Sequence, residues 1–326
     1  MRRREFIRLL LAVVALRPAP LLAQRPRIWR VGWLDPGSSA ARSENLEIFR
    51  HELKELGYAE GRDLLIERRF SEGNVERLRS LAEGLAQMNV DVILAVSSFA
   101  VQAAKAATTK IPIVMTGVGD PEHSGFVASI TRPGGNITGL TNVSIDISSK
   151  YLELLHVALP TMKLVGVMID PAHPNHPTVL KQVQIGAKAL GIEVTPIEVR
   201  SVEEIEPTFD SGTRRRLEAL IVPPHPVWQV EGRRIVDLTL KHRLPTMFGL
   251  IGAVEVGGLM SYLPSYADMY RRAAALVDKI LQGAKPADLP VEFPTRFEFA
   301  LNLRTADALG LKVPADLRVR ADKVVD

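Results

Sequence analysis

Val90-Asp91-Val92-Ile93-Leu94-Ala95-Val96 is followed by Ser97-Ser98, by the alanine-rich run Ala100 to Thr108, and then by Ile111-Pro112-Ile113-Val114-Met115. The first run is short, apolar and rich in β-branched residues, so it reads as a strand buried on both faces. The alanines favour a helix, and the β-branched residues after them predict a second strand. Strand, helix and strand in so few residues make a βαβ unit, whose two strands are parallel. This unit sets the fold class as α/β.

The same grammar extends in both directions. Upstream, Trp29 to Leu34 and Leu64 to Phe70 read as strands. Helices are expected over Ser43 to Leu56 and Val75 to Met88, the latter with Leu78, Leu81, Leu85 and Met88 on one stripe. Ile137 to Leu140 completes a first sheet. After a helix at Ser148 to Leu159 the pattern restarts. Strands are expected at Lys163 to Ile169, Glu193 to Val199, Leu217 to Val222 and Thr246 to Phe248. Between them fall helices at Thr178 to Leu190, ended by Gly191, and at Gln229 to His242, with another opened by the capping-box spacing of Ser201-Val202-Glu203-Glu204. Two rounds of this alternation imply two similar lobes, each a doubly wound parallel sheet. No segment rich in glycine, serine or charge separates them, so several direct crossings are expected instead of a flexible tether.

The 326 residues are 46% hydrophobic and 24% charged, an ordinary globular composition long enough for two domains. Cysteine is absent, which excludes disulfides, thiolate metal sites and cysteine nucleophiles. Five arginines and one glutamate in residues 1–24 account for the whole net charge of +4. The remaining chain is neutral, which argues against nucleic acid or an anionic membrane as the main partner. Arg2-Arg3-Arg4-Glu5-Phe6-Ile7-Arg8, an apolar run from Leu9 to Leu16 and a small residue at Ala23 describe a secretory signal peptide over residues 1–24. The apolar run falls well short of the roughly 20 residues that span a bilayer. The arginine pair with Phe6 and Ile7 also resembles a twin-arginine export signal, and both export routes stay open. A periplasmic mature chain starting near Gln24 or Arg25, with no transmembrane segment, is the expectation.

In open parallel sheets ligands bind beyond the carboxyl ends of the strands, where helix N-termini present free N–H groups. Those positions hold Asp35-Pro36-Gly37-Ser38-Ser39, Ser97-Ser98, Thr116-Gly117-Val118-Gly119-Asp120, Asp170 with Asn175, Pro223-Pro224-His225 and Phe248-Gly249. Hydroxyls at helix starts suit a carboxylate, and Asp120 or Asp170 suits an ammonium. Ser38, Ser97 and Ser98 equally suit plain helix capping; their convergence on one edge is what favours a binding site. Trp33 reads as core. Trp228, Phe248, Tyr262 and Tyr266 fit either packing or the apolar wall of a small-ligand pocket. Catalytic patterns are missing: there is no G-x-S-x-G elbow. Pro133-Gly134-Gly135-Asn136 reads as a turn, since it lacks the phosphate-loop spacing. His173-Pro174-Asn175-His176-Pro177 is broken by proline, so His173, His176 and His225 read as loop contacts or solvent-exposed imidazoles and not as metal ligands. Arg214 to Arg216 and Arg271-Arg272 read as solvated helix faces. No metal and no cofactor is expected.

Several segments resemble the exported substrate-binding proteins of ABC transporters, in the family with tryptophan- and tyrosine-binding members. They are Ile111-Pro112-Ile113-Val114, Gly119-Asp120-Pro121 with Gly125, Arg132-Pro133-Gly134-Gly135-Asn136-Ile137-Thr138-Gly139, Gly257-Gly258-Leu259-Met260-Ser261-Tyr262, Ala273 to Leu289-Pro290, and Asn302-Leu303-Arg304-Thr305-Ala306 with Ala308-Leu309-Gly310-Leu311. The resemblance implies a type I periplasmic binding protein with three interlobe crossings. Its first lobe would take residues 28–142 plus about 258–285, and its second 143–257 plus about 286–326. It would act, as a monomer, by closing on a small solute, an amino acid among the candidates, and by presenting both lobes to an ABC permease with its ATPase. Matched onto this chain, the binding positions are Ser97, Ser98, Thr116, Asp120, Asn142, Asp170 and Tyr262, with Ser38, Asn175, His225 and Phe248 added by the strand-tip argument. Leu263-Pro264 stands where relatives carry a glycine, and Asp35-Pro36-Gly37-Ser38 lacks the histidine of their common version, so a tryptophan preference is not implied. The rival functions are a periplasmic enzyme acting on a small polar substrate, with Asp120 or Asp170 as base, and a ligand-binding sensory protein.

Overall fold

Val92–Val96 (β3) is buried along its whole length, and its side chains alternate between two cores. Val92, Leu94 and Val96 face one cluster with Val31, Trp33 and Phe49, while Ile93 and Ala95 face another with Leu78, Leu85 and Val101. This period of two is the geometric consequence of the pleat. The computed structural model describes residues 27–39, 43–142, 147–210 and 216–326. The expected signal peptide, and Arg214 and Arg215 of the arginine run, lie outside the described residues.

Around β3 the first sheet runs β2-β1-β3-β4-β5, all parallel, from Trp29–Asp35 (β1), Leu64–Phe70 (β2), Ile113–Val118 (β4) and Ile137–Thr141 (β5). Ser43–Glu55 (α1) covers one face, and Leu78–Gln87 (α2) and Ser97–Ala107 (α3) cover the other. Small residues on the buried stripe of α3, Ala100, Val101 and Ala104, let it pack close to the strands. The second lobe contributes Ser148–Ala158 (α4), Leu164–Ile169 (β6), His176–Leu190 (α5), Glu193–Glu198 (β7), Ile205–Asp210 (α6), Ala219–Val222 (β8), Pro226–Val230 (α7), Gly232–Lys241 (α8) and Thr246–Phe248 (β9). Gly191, at φ 65°, closes α5 in the left-handed conformation that glycine favours.

Met260–Pro264 (β10) joins β9 in the second sheet, and only then does Tyr266–Leu281 (α9) return to the first lobe. There Tyr270 of α9 stacks on Trp33, with ring centroids 5.3 Å apart, in a site closed by the edge of Phe49. The chain stays with the first lobe as far as Glu292, whose main chain bridges to Leu140. It then crosses back to form Phe297–Asn302 (β11), Leu303–Leu309 (α10), Ala315–Arg320 (α11) and Lys323–Val325 (β12). The second sheet therefore runs β12-β11-β10-β9-β8-β6-β7. Its β10–β11 pair is antiparallel, an exception to the otherwise parallel pairing.

Two lobes of doubly wound α/β architecture are joined by three crossings: between Asn142 and Ser148, between Pro264 and Tyr266, and between Glu292 and Phe297. The expected boundaries shift accordingly. The return to the first lobe begins near residue 265 and not 258, because β10 pairs in the second sheet. It lasts to 292 and not 285, because the Leu289 carbonyl accepts the Thr138 hydroxyl and Val291 packs in the first lobe's core.

Candidate functional site

Strand β3 gives way to helix α3 without a loop, and Ser97 makes the turn. Its φ of 75° is left-handed, a conformation that costs an L-residue of order 1 kcal/mol or more. The Ser97 Oγ is buried and has no hydrogen-bond partner. Being the first residue of α3, Ser97 also heads a turn whose N–H groups lack intrahelical acceptors. Strand β4 bulges beside it, between Met115 and Val118, and puts Gly117 against the helix start. Gly117 is left-handed at φ 69°, the conformation that glycine takes at least cost, and a Cβ there would only touch the Ser97 nitrogen, at 3.7 Å. Thr116, 1% exposed, has a second buried hydroxyl without a partner. Asn142 is held at the end of β5 by its amide, which donates to the Val118 carbonyl at 2.8 Å.

Across the cleft, the loop after β6 folds into a polar knot. The Asp170 carboxylate accepts the Ala172 amide at 2.8 Å and the His225 Nε2–H at 3.2 Å. His176 Nδ1 accepts the Asp170 amide, and its Nε2–H donates to the Pro224 carbonyl. The Nδ1 atoms of His173 and His225 accept the amides of Asn175 and Val227. All three rings therefore carry their proton on Nε2 and are neutral. His173 stacks on His176 at 4.1 Å, and His225 lies over Trp228 at 4.6 Å. Burial pushes the His173 imidazolium well below the usual histidine range and takes His176 down to about 3. It also lowers His225, against the pull of the Asp170 carboxylate. Burial drives Asp170 up, but the bonds from His225 and Ala172 outweigh it and leave the group below the ordinary carboxylate range.

The two lobes enclose a cavity of about 40 Å³ lined by Ser97, Gly117 and Asn142 on one side and His173, Asn175 and His225 on the other. Pro224, Pro226, Gln229, Gly249 and Tyr266 complete it. His225 also borders a larger cavity of about 470 Å³, which Asp170 lines together with Glu72, Glu76, Glu203, Glu231 and Arg200. One side of His225 thus offers amides and hydroxyls, and the other offers mainly carboxylates, with the Arg200 guanidinium among them. That polarity matches a solute with a negative and a positive end.

Of the sequence candidates, Ser97, Asn142, Asn175 and His225 line the inner cavity and Asp170 lines the outer one. Ser98 sits just behind the inner cavity, its Oγ accepting the Asn175 amide group at 3.2 Å. Ser38 lies in the loop that packs on the Ser71–Asn74 turn. Asp120 spends a carboxylate oxygen on the His123 amide of its own turn. Phe248 is wholly buried in the second lobe's core, and Tyr262 stacks on Phe297 at 5.6 Å, so neither forms the expected aromatic wall. Trp228 is also packed, beneath His176 and His225, whereas Tyr266 does reach the cavity. Of the two roles expected of His173, His176 and His225, loop contact is what the structure shows and solvent exposure is corrected: they are 7%, 1% and 6% exposed. Gln229 went unrecognised as a lining residue; both of its amide atoms grip the Ile251 main chain at 2.9 Å, a role with no local sequence signal. Among the described residues no group of three or more His, Asp or Glu side chains is placed to hold a metal, and no helix is long and apolar enough to cross a membrane.

Comparison with known proteins fits this architecture. A tyrosine-binding protein from Clostridioides difficile is 28% identical over 266 residues, covering 81% of this chain and 76% of that protein. A conserved domain protein from Vibrio cholerae superposes with a TM-score of 0.86 at 23% identity, covering 91% of this chain and 100% of that one. An ABC domain from Streptococcus pneumonia in complex with L-Trp gives 0.85 at 24% identity over the same shares. Residues 35–325 match the model of the ABC transporter substrate binding protein family. With residues 35–325 of the chain matched, and with the two-lobed fold and its interlobe cavity in place, the chain belongs to the family of ABC transporter substrate binding proteins.

Proposed function

We propose that this chain is an exported, non-enzymatic receptor that captures a small amphipathic solute of the α-amino-acid class between its lobes. It then delivers the solute to an ABC permease driven by its ATPase. The observation that carries the reading is the buried Ser97 hydroxyl, unpartnered at the N-terminus of α3 and facing the imidazoles of the opposite lobe across the cavity. A solute carboxylate at that point would take the hydroxyl, the free amides of α3 and the His173 Nε2–H. Its ammonium would lie toward Asp170. The two chambers on either side of His225 merge when the lobes part, which gives the solute a way in. Relatives that bind tyrosine and L-Trp support the solute class, and the arginine-rich start supports export to the periplasm.

A thermal-shift panel of amino acids and their analogues tests the reading. A true ligand at 100 times its dissociation constant should stabilise the protein by about 2.7 kcal/mol, and mass spectrometry should recover it chemically unchanged. No shift across the panel, with no co-purified small molecule, would overturn it. Ser97→Gly separates stability from binding. It relieves the left-handed strain, so the melting temperature should not fall, while loss of the hydroxyl should weaken solute binding about tenfold. A lower melting temperature with unchanged affinity would show that the serine is there for packing alone.

A further inference from the structure

Building on the receptor reading, we infer that Asn175 is a positioning residue that latches the lobes to each other directly, so that part of the closing free energy comes from the protein and not from the solute. Asn175 occupies the N-cap position of α5, where an asparagine ordinarily gives its side-chain oxygen to an amide of its own helix. Here it makes no such cap. The carboxamide reaches into the other lobe, where Nδ2 donates to Ser98 Oγ at 3.2 Å and Oδ1 accepts the Ser124 hydroxyl at 3.3 Å. Its main chain stays tied to the second lobe, through an amide donated to His173 Nδ1 and a carbonyl that accepts the Val179 amide. Asn175 is 3% exposed; its bond to Ser98 forms out of water, and its bond to Ser124 is partly buried.

Beside it Phe99, from α3 of the first lobe, sets its ring edge-on to His173 at 5.1 Å and to His225 at 5.7 Å. Every one of these contacts joins protein to protein across the cleft. The latch therefore predicts a populated closed form of the solute-free chain. Because apparent affinity scales with the fraction of the binding-competent state, Asn175 tunes affinity through that population. Asn175 also lines the inner cavity, so the latch is read from the distance between the lobes and not from solute affinity.

The test needs no knowledge of the solute. The chain has no cysteine, so Arg79→Cys and Lys181→Cys, exposed positions on opposite lobes that line neither chamber, accept spin labels cleanly. The labelled protein is unfolded in guanidinium, dialysed and refolded to strip any bound molecule, and the interlabel distance distribution is measured. The wild type should show a short-distance population that Asn175→Ala shifts toward open by roughly tenfold in the closing equilibrium, the worth of a buried hydrogen bond or more. Ser98→Ala with Ser124→Ala, made in the opposite lobe, should reproduce that shift, and adding Asn175→Ala to the pair should add nothing. A cap or core role would lower the melting temperature and leave the distances alone. A stripped wild type that is wholly open, or distances that ignore all three substitutions, would sink the latch. If panel solutes bind while the distances do not respond, the latch falls and the receptor stands. If the distances respond while no solute binds, the latch stands and the receptor reading falls.

Discussion

Gly139→Ala is expected to destabilise the protein by at least ~3 kcal/mol, enough to leave much of it unfolded, combining a strained backbone with an overpacked contact. Gly139 sits in β5 at φ 140°. A Cβ there would lie 2.2 Å from the Met115 carbonyl oxygen and 2.5 Å from the Met115 nitrogen. Those atoms are backbone, so no rotamer change can relieve the clash, and β5 would have to part from β4. Met115 is also where the β4 bulge begins, the bulge that carries Thr116 and Gly117 to the start of α3. The damage would thus reach the solute cavity as well as the sheet. Gly135→Ala is the matched control: a Cβ there meets nothing within 4 Å, and its φ is not left-handed. It should change stability by less than ~0.5 kcal/mol. Urea unfolding of the two variants decides the matter; equal midpoints would mean that the β4–β5 pairing is far more pliable than its geometry implies.

The central strands of both lobes were legible because they are buried on both faces, and such strands announce themselves as unbroken apolar runs. Leu64–Phe70 and Thr246–Phe248 fall where the residues alone put them. Legibility ended after Phe248. Pairing of β10 with β11 depends on a detour of the chain through the other lobe, and no local pattern encodes so distant a partner. At the site, the strand-tip rule located Ser97, Asn175 and His225 because topology alone brings such positions to one edge. It could not tell which side chains would be used up locally, as the Asp120 carboxylate is by its own turn. Nor could it see that the proline-broken His173–Pro177 loop would be buried, since Phe99 of the other lobe does part of the covering. Phe248 and Tyr262 failed as wall residues for a related reason: the sequence places them near a sheet edge, but which face they take follows from packing against α8 and Phe297.

That buried loop makes the protein acid-sensitive in a range where most globular proteins are indifferent. An unfolded histidine takes up a proton near pH 6.5. In the fold, His173, His176 and His225 resist it, because burial disfavours the imidazolium and each ring's Nδ1 already accepts a backbone amide. Below pH 6.5 the unfolded chain therefore binds more protons than the folded one, and stability falls with pH by up to ~1.4 kcal/mol per unit for each such histidine. His176, held at about 3, should alone remove about 2 kcal/mol between pH 6.5 and pH 5. His173 adds to this, and His225 adds least, since Asp170 stands ready to pair with its charged form. Asp170, whose own affinity for protons is lowered in the fold, pushes the same way only at pH values near and below the ordinary carboxylate range. Denaturant unfolding at pH 7.5, 6.5 and 5 should give a steep loss over the last interval and little over the first. His176→Gln, which can accept the Asp170 amide and donate to the Pro224 carbonyl, should flatten that limb while costing some stability at neutral pH. A wild-type profile that is flat from pH 6.5 to 5 would mean the loop opens and protonates without unfolding. Because Phe99 rests on two of these rings, an opening of that kind would part the lobes, and it would register as loss of solute affinity in acid instead of loss of stability.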